Sequence, residues 1–141
     1  LCIMKTNDPY YVLAKYILPK EFNDYFEVTQ VGEECLNGEM LLHIYLDERD
    51  KAPTGHGKLS PNGFYEESCI SDFPIREYHS VLHVRRRRWK DKDGKSVSRD
   101  WQLVAEGTRI SKEFAAFLKE SLGFTPDYSA LLDASLSHQF R

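Results

Sequence analysis

The sequence is poor in the residues that build small extracellular scaffolds and cofactor-holding loops. It holds three cysteines in 141 residues, Cys2, Cys35 and Cys69, and none belongs to a C-x-x-C pair. A scattered, odd-numbered set argues against a disulfide framework and against a zinc ribbon, and leads us to expect a reducing cytoplasm. No apolar run reaches the length of a membrane span and no signal-peptide pattern opens the chain, so no membrane partner is expected. Catalytic motifs are missing too: there is no glycine-rich phosphate loop, no G-x-S-x-G and no H-E-x-x-H. His43, His56, His79, His83 and His138 form no ligand cluster and read as structural or solvated side chains. We therefore expect no metal, no other cofactor and no catalytic residue. Asp47, Glu48, Asp50 and Asp72 could be gathered into a nuclease-like carboxylate group, but 22 acidic residues offer many such combinations and nothing selects this one. Asp72, ahead of Phe73-Pro74, reads as a turn former.

What remains is an ordinary globular composition, 41% hydrophobic and 29% charged, in a chain long enough to bury a core without staples. Asp8-Pro9 signals a helix start, with Tyr10, Leu13, Ala14 and Ile17 at helical spacing. Pro19 interrupts it, and residues 20–25 read as a second short helix. Residues 26–33 and 40–47 read as a hairpin around Leu36-Asn37-Gly38, the second strand alternating Met40, Leu42, Ile44 and Leu46 against Leu41, His43, Tyr45 and Asp47. Residues 49–63, rich in Lys, Pro, Gly and Ser, read as a solvent-exposed linker or flap. Residues 64–71 resume strand character, which Pro74 should end. Ser111 caps a helix carrying Phe114, Phe117, Leu118 and Leu122 on one face, with Glu113 in its first turn and Gly123 at its end. Thr125-Pro126-Asp127 opens another, with Tyr128, Leu131, Leu132 and Leu136. The expected fold is α+β: a small antiparallel sheet including a basic β-hairpin, packed against short helices. Residues 1–122 would form this domain and residues 123–141 a helical tail, the start of a truncated helix-turn-helix.

The basic hairpin is the most pronounced feature. Residues 76–112 hold eleven basic and five acidic side chains, a local excess of six positive charges in a chain of formal net charge −3. The rest of the chain therefore carries −9. Four consecutive arginines, Arg85 to Arg88, stand in strand positions, where their forked donors suit bidentate contact with phosphate or base. A basic ribbon in an acidic protein is the footprint that phosphate binding requires. Asp93-Gly94 is a hairpin signal. A two-residue turn there sets Val84 opposite Leu103, Arg86 opposite Trp101 and Arg88 opposite Arg99. On the other face it sets His83 opposite Val104, Arg85 opposite Gln102 and Arg87 opposite Asp100. A longer, bulged turn would change this register. In the two-residue register Arg86, Arg88 and Arg99 face no carboxylate and are expected on phosphates, while Asp100 makes Arg87 mainly structural. Trp101 is expected in the core.

Several runs then carry a resemblance: Ile70-Ser71-Asp72-Phe73-Pro74-Ile75, residues 81–89, Arg99-Asp100-Trp101, Gly107-Thr108-Arg109 and Phe114-Ala115-Ala116-Phe117-Leu118. Together, over roughly residues 19–120, the chain resembles the N-terminal region of ISAon-type insertion-sequence transposases, which are similar to the ISL-type enzymes. Trp89 stands where the zinc-bearing relatives place a first cysteine, and no cysteine follows, so the ribbon is expected to be metal-free. The resemblance implies a non-catalytic module that binds double-stranded DNA at the terminal inverted repeats of a mobile element in the bacterial nucleoid. The acidic-triad catalytic domain or subunit would be its partner. The expected DNA-contacting residues are Arg85, Arg86, Arg88, Trp89, Lys90, Lys92, Lys95, Arg99 and Arg109. A second class of function stays open: an interaction module whose ribbon docks an acidic partner and whose acidic remainder self-associates, as in a homodimer.

Overall fold

The computed structural model describes residues 9–105 and 108–122. Helix α1 (Pro9–Ile17) and helix α2 (Lys20–Tyr25) are separated at Pro19, whose φ of −53° and ψ of 144° leave the helical region. The chain then enters strand β1 (Phe26–Leu36) and returns as β2 (Glu39–Glu48). Asn37 and Gly38 both take positive φ, 52° and 83°. That pair of values is the turn geometry that matches strand twist, and it lets the ladder run to Leu36 opposite Glu39, three residues past the expected end. A register shift between Val28 and Gln30 bulges β1. Strands β3 (Ser60–Phe64), β4 (Ser68–Ile75), β5 (Tyr78–Arg85), β6 (Arg87–Lys90) and β7 (Ser96–Val97) follow, and α3 (Lys112–Leu122) closes the described chain. The fold is α+β. One sheet has the order β1-β2-β5-β4 and the other β3-β6-β7.

The register of the basic hairpin differs from the two-residue expectation. Trp89, not Lys90, faces Val97, a shift of one residue. The cause is Asp91: its carboxylate accepts the amides of Asp93 and Lys95 at 2.9 Å each and its own amide donates to the Lys95 carbonyl at 3.0 Å, closing a longer loop. Of the two expected turn residues, Gly94 alone has positive φ. The ladder also ends early. Strand β5 is already flanked by β2, in parallel, and by β4, antiparallel, so no edge remains for residues 98–104 to pair with. Val84 accordingly faces Leu46 and Ser68, not Leu103. Leu103 instead packs as a side chain in the core, with Trp101 at its margin.

Two further expectations change. Residues 60–63 belong to β3, which pairs with β6. Strand β4 passes through Pro74 to Ile75, with a register shift after Asp72. A proline survives there because β4 is an edge strand, where a missing amide breaks no ladder on the open side.

Alternation gives the first sheet two unlike faces. Ile44, Leu46, Ile70, Leu82 and Val84 point to one side, against Leu18, Phe22 and Phe26, and form the apolar core. Leu41, His43, Tyr45, Asp47, Cys69, Val81 and His83 share the other side and are buried as well. Helix α3 forms a second cluster through Ile110, Phe114, Ala115 and Leu118, packed against Phe73, while Phe117 stays half exposed. Its start is tied to β4: the Ser111 hydroxyl accepts the Phe114 amide at 3.4 Å and donates to Asp72 Oδ1 at 2.7 Å. Asp72 is thus a buried strand residue that holds a helix cap, not a turn former. The expected Asp8 cap, Gly123 and the tail of residues 123–141 lie outside the described residues.

Burial raises the Asp72 carboxyl above the ordinary carboxylate value, against the lowering effect of its hydrogen bonds with Ser111 and the Phe73 amide. A raised value means the folded state holds the proton more tightly than the unfolded chain. The stability Asp72 contributes is therefore present at low pH and lost as pH rises through the raised value. Asp72→Asn keeps an acceptor for Ser111 without the charge. Its urea midpoint should gain on the parent's as pH rises above the ordinary aspartate value of about 4; a difference that does not change with pH would refute this account.

Candidate functional site

The four arginines straddle the joint between the two sheets. Arg86 lies between β5 and β6, and strand alternation carries through it. Arg85 grips Asp47, its register neighbour on β2, with Nε donating to Oδ1 at 2.7 Å and Nη2 to Oδ2 at 2.5 Å. Arg87 donates from Nε to the Glu48 carbonyl at 2.8 Å and from its backbone amide to Glu48 Oε1 at 3.1 Å. Both guanidinium groups also lie against Phe64, 4.5 and 4.7 Å from the ring centroid. Arg86 and Arg88 take the other side and share Tyr65, at 5.2 and 5.5 Å. Arg88 Nε donates to the Asn62 carbonyl at 3.2 Å. Among the described residues no carboxylate lies within ion-pair distance of Arg86 or Arg88.

Glu48 organises the rest of the basic segment. Its side chain is 1% exposed, and Oε1 also accepts the Trp101 indole N–H at 3.0 Å. Arg99 Nε stands 3.9 Å from Oε2, while its Nη2 donates to the Lys51 and Ala52 carbonyls and its guanidinium covers Tyr25. The expected partner of Arg87, Asp100, is exposed and takes no part. Trp89, expected on DNA, is 2% exposed and belongs to the interior. Lys90, Lys92, Lys95 and Arg109 are exposed. The structure thus separates the nine expected contact residues. Arg85 and Arg99 are held by protein groups, Trp89 is buried, and the remaining six present charge outward. Arg86 and Arg109 line one cleft of about 340 Å³, together with Thr108, Trp101, Glu67 and Cys69.

A second polar constellation, which reading along the chain did not reveal, crosses the buried polar face of the first sheet. Glu34 Oε1 lies 3.1 Å from His43 Nε2, His43 Nδ1 lies 2.7 Å from His83 Nε2, and His83 Nδ1 lies 2.9 Å from Glu67 Oε2 and 3.3 Å from Cys69 Sγ. The register explains the row. Cys69 stands directly opposite His83, and Gly32, with no side chain, stands opposite His43, leaving the diagonal position to Glu34. The Tyr45 ring stacks on His83 at 4.3 Å and 17°. A histidine at an interior position of each of two apolar strands was the available signal. That β2 and β5 lie side by side was not.

Removing the Glu48 carboxylate would strand the Arg87 amide and the Trp101 indole in the interior, each worth about 1–3 kcal/mol when left unmet. Glu48→Ala should therefore cost about 3 kcal/mol or more in urea unfolding, and the Trp101 environment should loosen in near-ultraviolet circular dichroism. A loss below about 1 kcal/mol would contradict this role. No helix among the described residues is long and apolar enough to cross a membrane. Comparison with protein-family models, with curated proteins and with solved structures finds no match for this chain.

Proposed function

We propose that the chain is a DNA-binding module, non-catalytic by itself, that grips duplex DNA through the outward side of its arginine ribbon. The observation that carries this reading is the unequal treatment of the four arginines. Arg85 and Arg87 are engaged with Asp47 and Glu48, whereas Arg86 and Arg88 are braced on Tyr65 without an acidic partner among the described residues. A cation held by an aromatic face and not by a carboxylate keeps its charge available to a phosphate, and loses less side-chain freedom on contact. Lys90, Lys92 and Lys95 continue the exposed charge to the hairpin tip, and Arg109 extends it across the cleft. The runs that resemble insertion-sequence transposases make terminal inverted repeats the DNA in question, with the catalytic triad supplied by another domain or subunit of a nucleoid-associated assembly.

Phosphate contacts release counterions, so each one lost lowers the slope of log K against log salt by about 0.9 on duplex DNA. The double variant Arg86→Ala/Arg88→Ala should flatten that slope by about 1.8 with its thermal midpoint kept, because neither side chain closes an ion pair. Arg87→Ala should lower the midpoint and alter the slope less. A duplex bearing the flanking inverted repeat should compete better than a scrambled one. If the double variant binds with unchanged affinity and slope, the ribbon is not the DNA surface, and docking of an acidic protein partner replaces this reading.

A further inference from the structure

We propose that Glu67, Cys69 and His83 form a zinc site beside the cleft that Arg86 and Arg109 line. Their donor atoms Oε2, Sγ and Nδ1 all lie within 4.8 Å of one another. The His83 nitrogen is at the centre of the group, 2.9 Å from the carboxylate and 3.3 Å from the sulfur. Zinc bonds of about 2.0–2.3 Å set tetrahedral ligands roughly 3.3–3.7 Å apart, so the two His83 contacts need to spread by a few tenths of an ångström and Glu67 and Cys69, within 4.8 Å of each other, need to close on the ion.

The hydrogen-bond row behind His83 is the support that a ligating imidazole needs. Three contacts run along it, Glu34 to His43, His43 to His83 and His83 to Glu67, and each needs one proton. Two neutral imidazoles bring two, and the Cys69 thiol, 3.3 Å from His83 Nδ1, is a further donor at the front of the row. If His83 carries its proton on Nδ1, toward Glu67, then His43 Nδ1–H donates to His83 Nε2 and the bare Nε2 of His43 meets the Glu34 carboxylate. In the other assignment His83 Nε2–H donates to His43 Nδ1, and His43 Nε2–H donates to Glu34. Every contact behind His83 is then satisfied, and its Nδ1 lone pair faces the carboxylate and the sulfur. A metal ion that displaces the Cys69 thiol proton would take all three groups as ligands. A ligating histidine whose second nitrogen is anchored through to a carboxylate is the usual supporting arrangement. Here the anchor passes through a second imidazole, and stacking on Tyr45 fixes the ring plane.

The donor set selects the ion. One thiolate, one imidazole and one carboxylate suit zinc, whereas magnesium and calcium take oxygen ligands. Three protein ligands leave a fourth position for water. Glu67 and Cys69 are both among the residues that line the cleft beside Arg86 and Arg109. The site is invisible to motif search because Glu67, just ahead of β4, and Cys69 within it are two residues apart and His83 comes from the facing strand.

The test uses the full chain in a Cys2→Ser/Cys35→Ser background, which leaves Cys69 as the single thiol. After stripping with EDTA, cobalt(II) is titrated and then displaced with zinc. One equivalent of cobalt should produce thiolate-to-metal charge-transfer absorption, and zinc should abolish the visible spectrum and raise the thermal midpoint. Glu34→Ala, which cuts the supporting row without touching a ligand, should weaken zinc binding roughly 10- to 100-fold. Glu67→Gln should weaken it further, and because that side chain is 26% exposed the fold should survive, as far-ultraviolet circular dichroism would report. The site is refuted if cobalt gives no charge-transfer band in the background protein, or if zinc affinity is the same with Glu67→Gln as without it. Neither result bears on the arginine variants, so the two proposals fail separately.

Discussion

The buried carboxylate of Glu48 is the constraint on which the layout of the basic segment depends. A charge taken out of water is tolerated only where donors surround it. The donors come from two later stretches of chain, the Arg87 amide at the start of β6 and the Trp101 indole beyond β7, while the Arg99 guanidinium stands 3.9 Å from Oε2 as an opposite charge. Meeting them requires the chain to leave the first sheet after Arg85, and requires residues 98–105 to fold back over the apolar face, where Leu103 completes the core. The outward placement of Arg86 and Arg88 follows from the same turn-out. Alternation that sends Arg87 to Glu48 must send its neighbours the other way.

The first sheet then has one face that stabilises and one that specifies. Its apolar side needs only shape and hydrophobicity. The opposite side buries two imidazoles and a thiol, with a partly exposed carboxylate at each end, in a single row across four strands. Such a row is costly unless every contact is met, and a fully met one holds its members in a single arrangement. Strand register does the aligning. Cys69 faces His83 across an antiparallel pair, Tyr45 neighbours His83 across a parallel one, and Gly32 leaves the gap through which Glu34 reaches His43.

Local signals in the sequence proved readable where local physics decided the outcome. Asn37-Gly38 made its turn, Pro19 divided two helices, and Ser111 capped α3. The alternation from Met40 to Asp47 divided buried side chains between two faces. Asp93-Gly94 misled because Asp91, two residues earlier, offers a carboxylate that gathers the loop amides first. Pro74 misled because its effect depends on whether a strand is at an edge. The division of the arginines into two pairs follows from alternation, but the partner of Arg87 could not be read, since Glu48 is 39 residues away. The histidine row was illegible for a related reason. Nothing in the chain announces that β2 and β5 run side by side in the same direction, with two strands inserted between them in sequence.

The two edges of the first sheet bear on how the protein avoids its own kind. An open strand edge invites a second copy to add its backbone, and long flat edges seed aggregates. Here the β1 edge is broken by the bulge after Val28 and studded with Glu27, Glu33 and Glu34, so an identical edge approaching it meets like charge. The β4 edge carries Pro74 and an irregular register, and the Ser71–Ile110 bridge occupies part of its length. Neither border is a good template for sheet extension. Contacts made along this sheet therefore fall to its side chains, and not to its backbone edges.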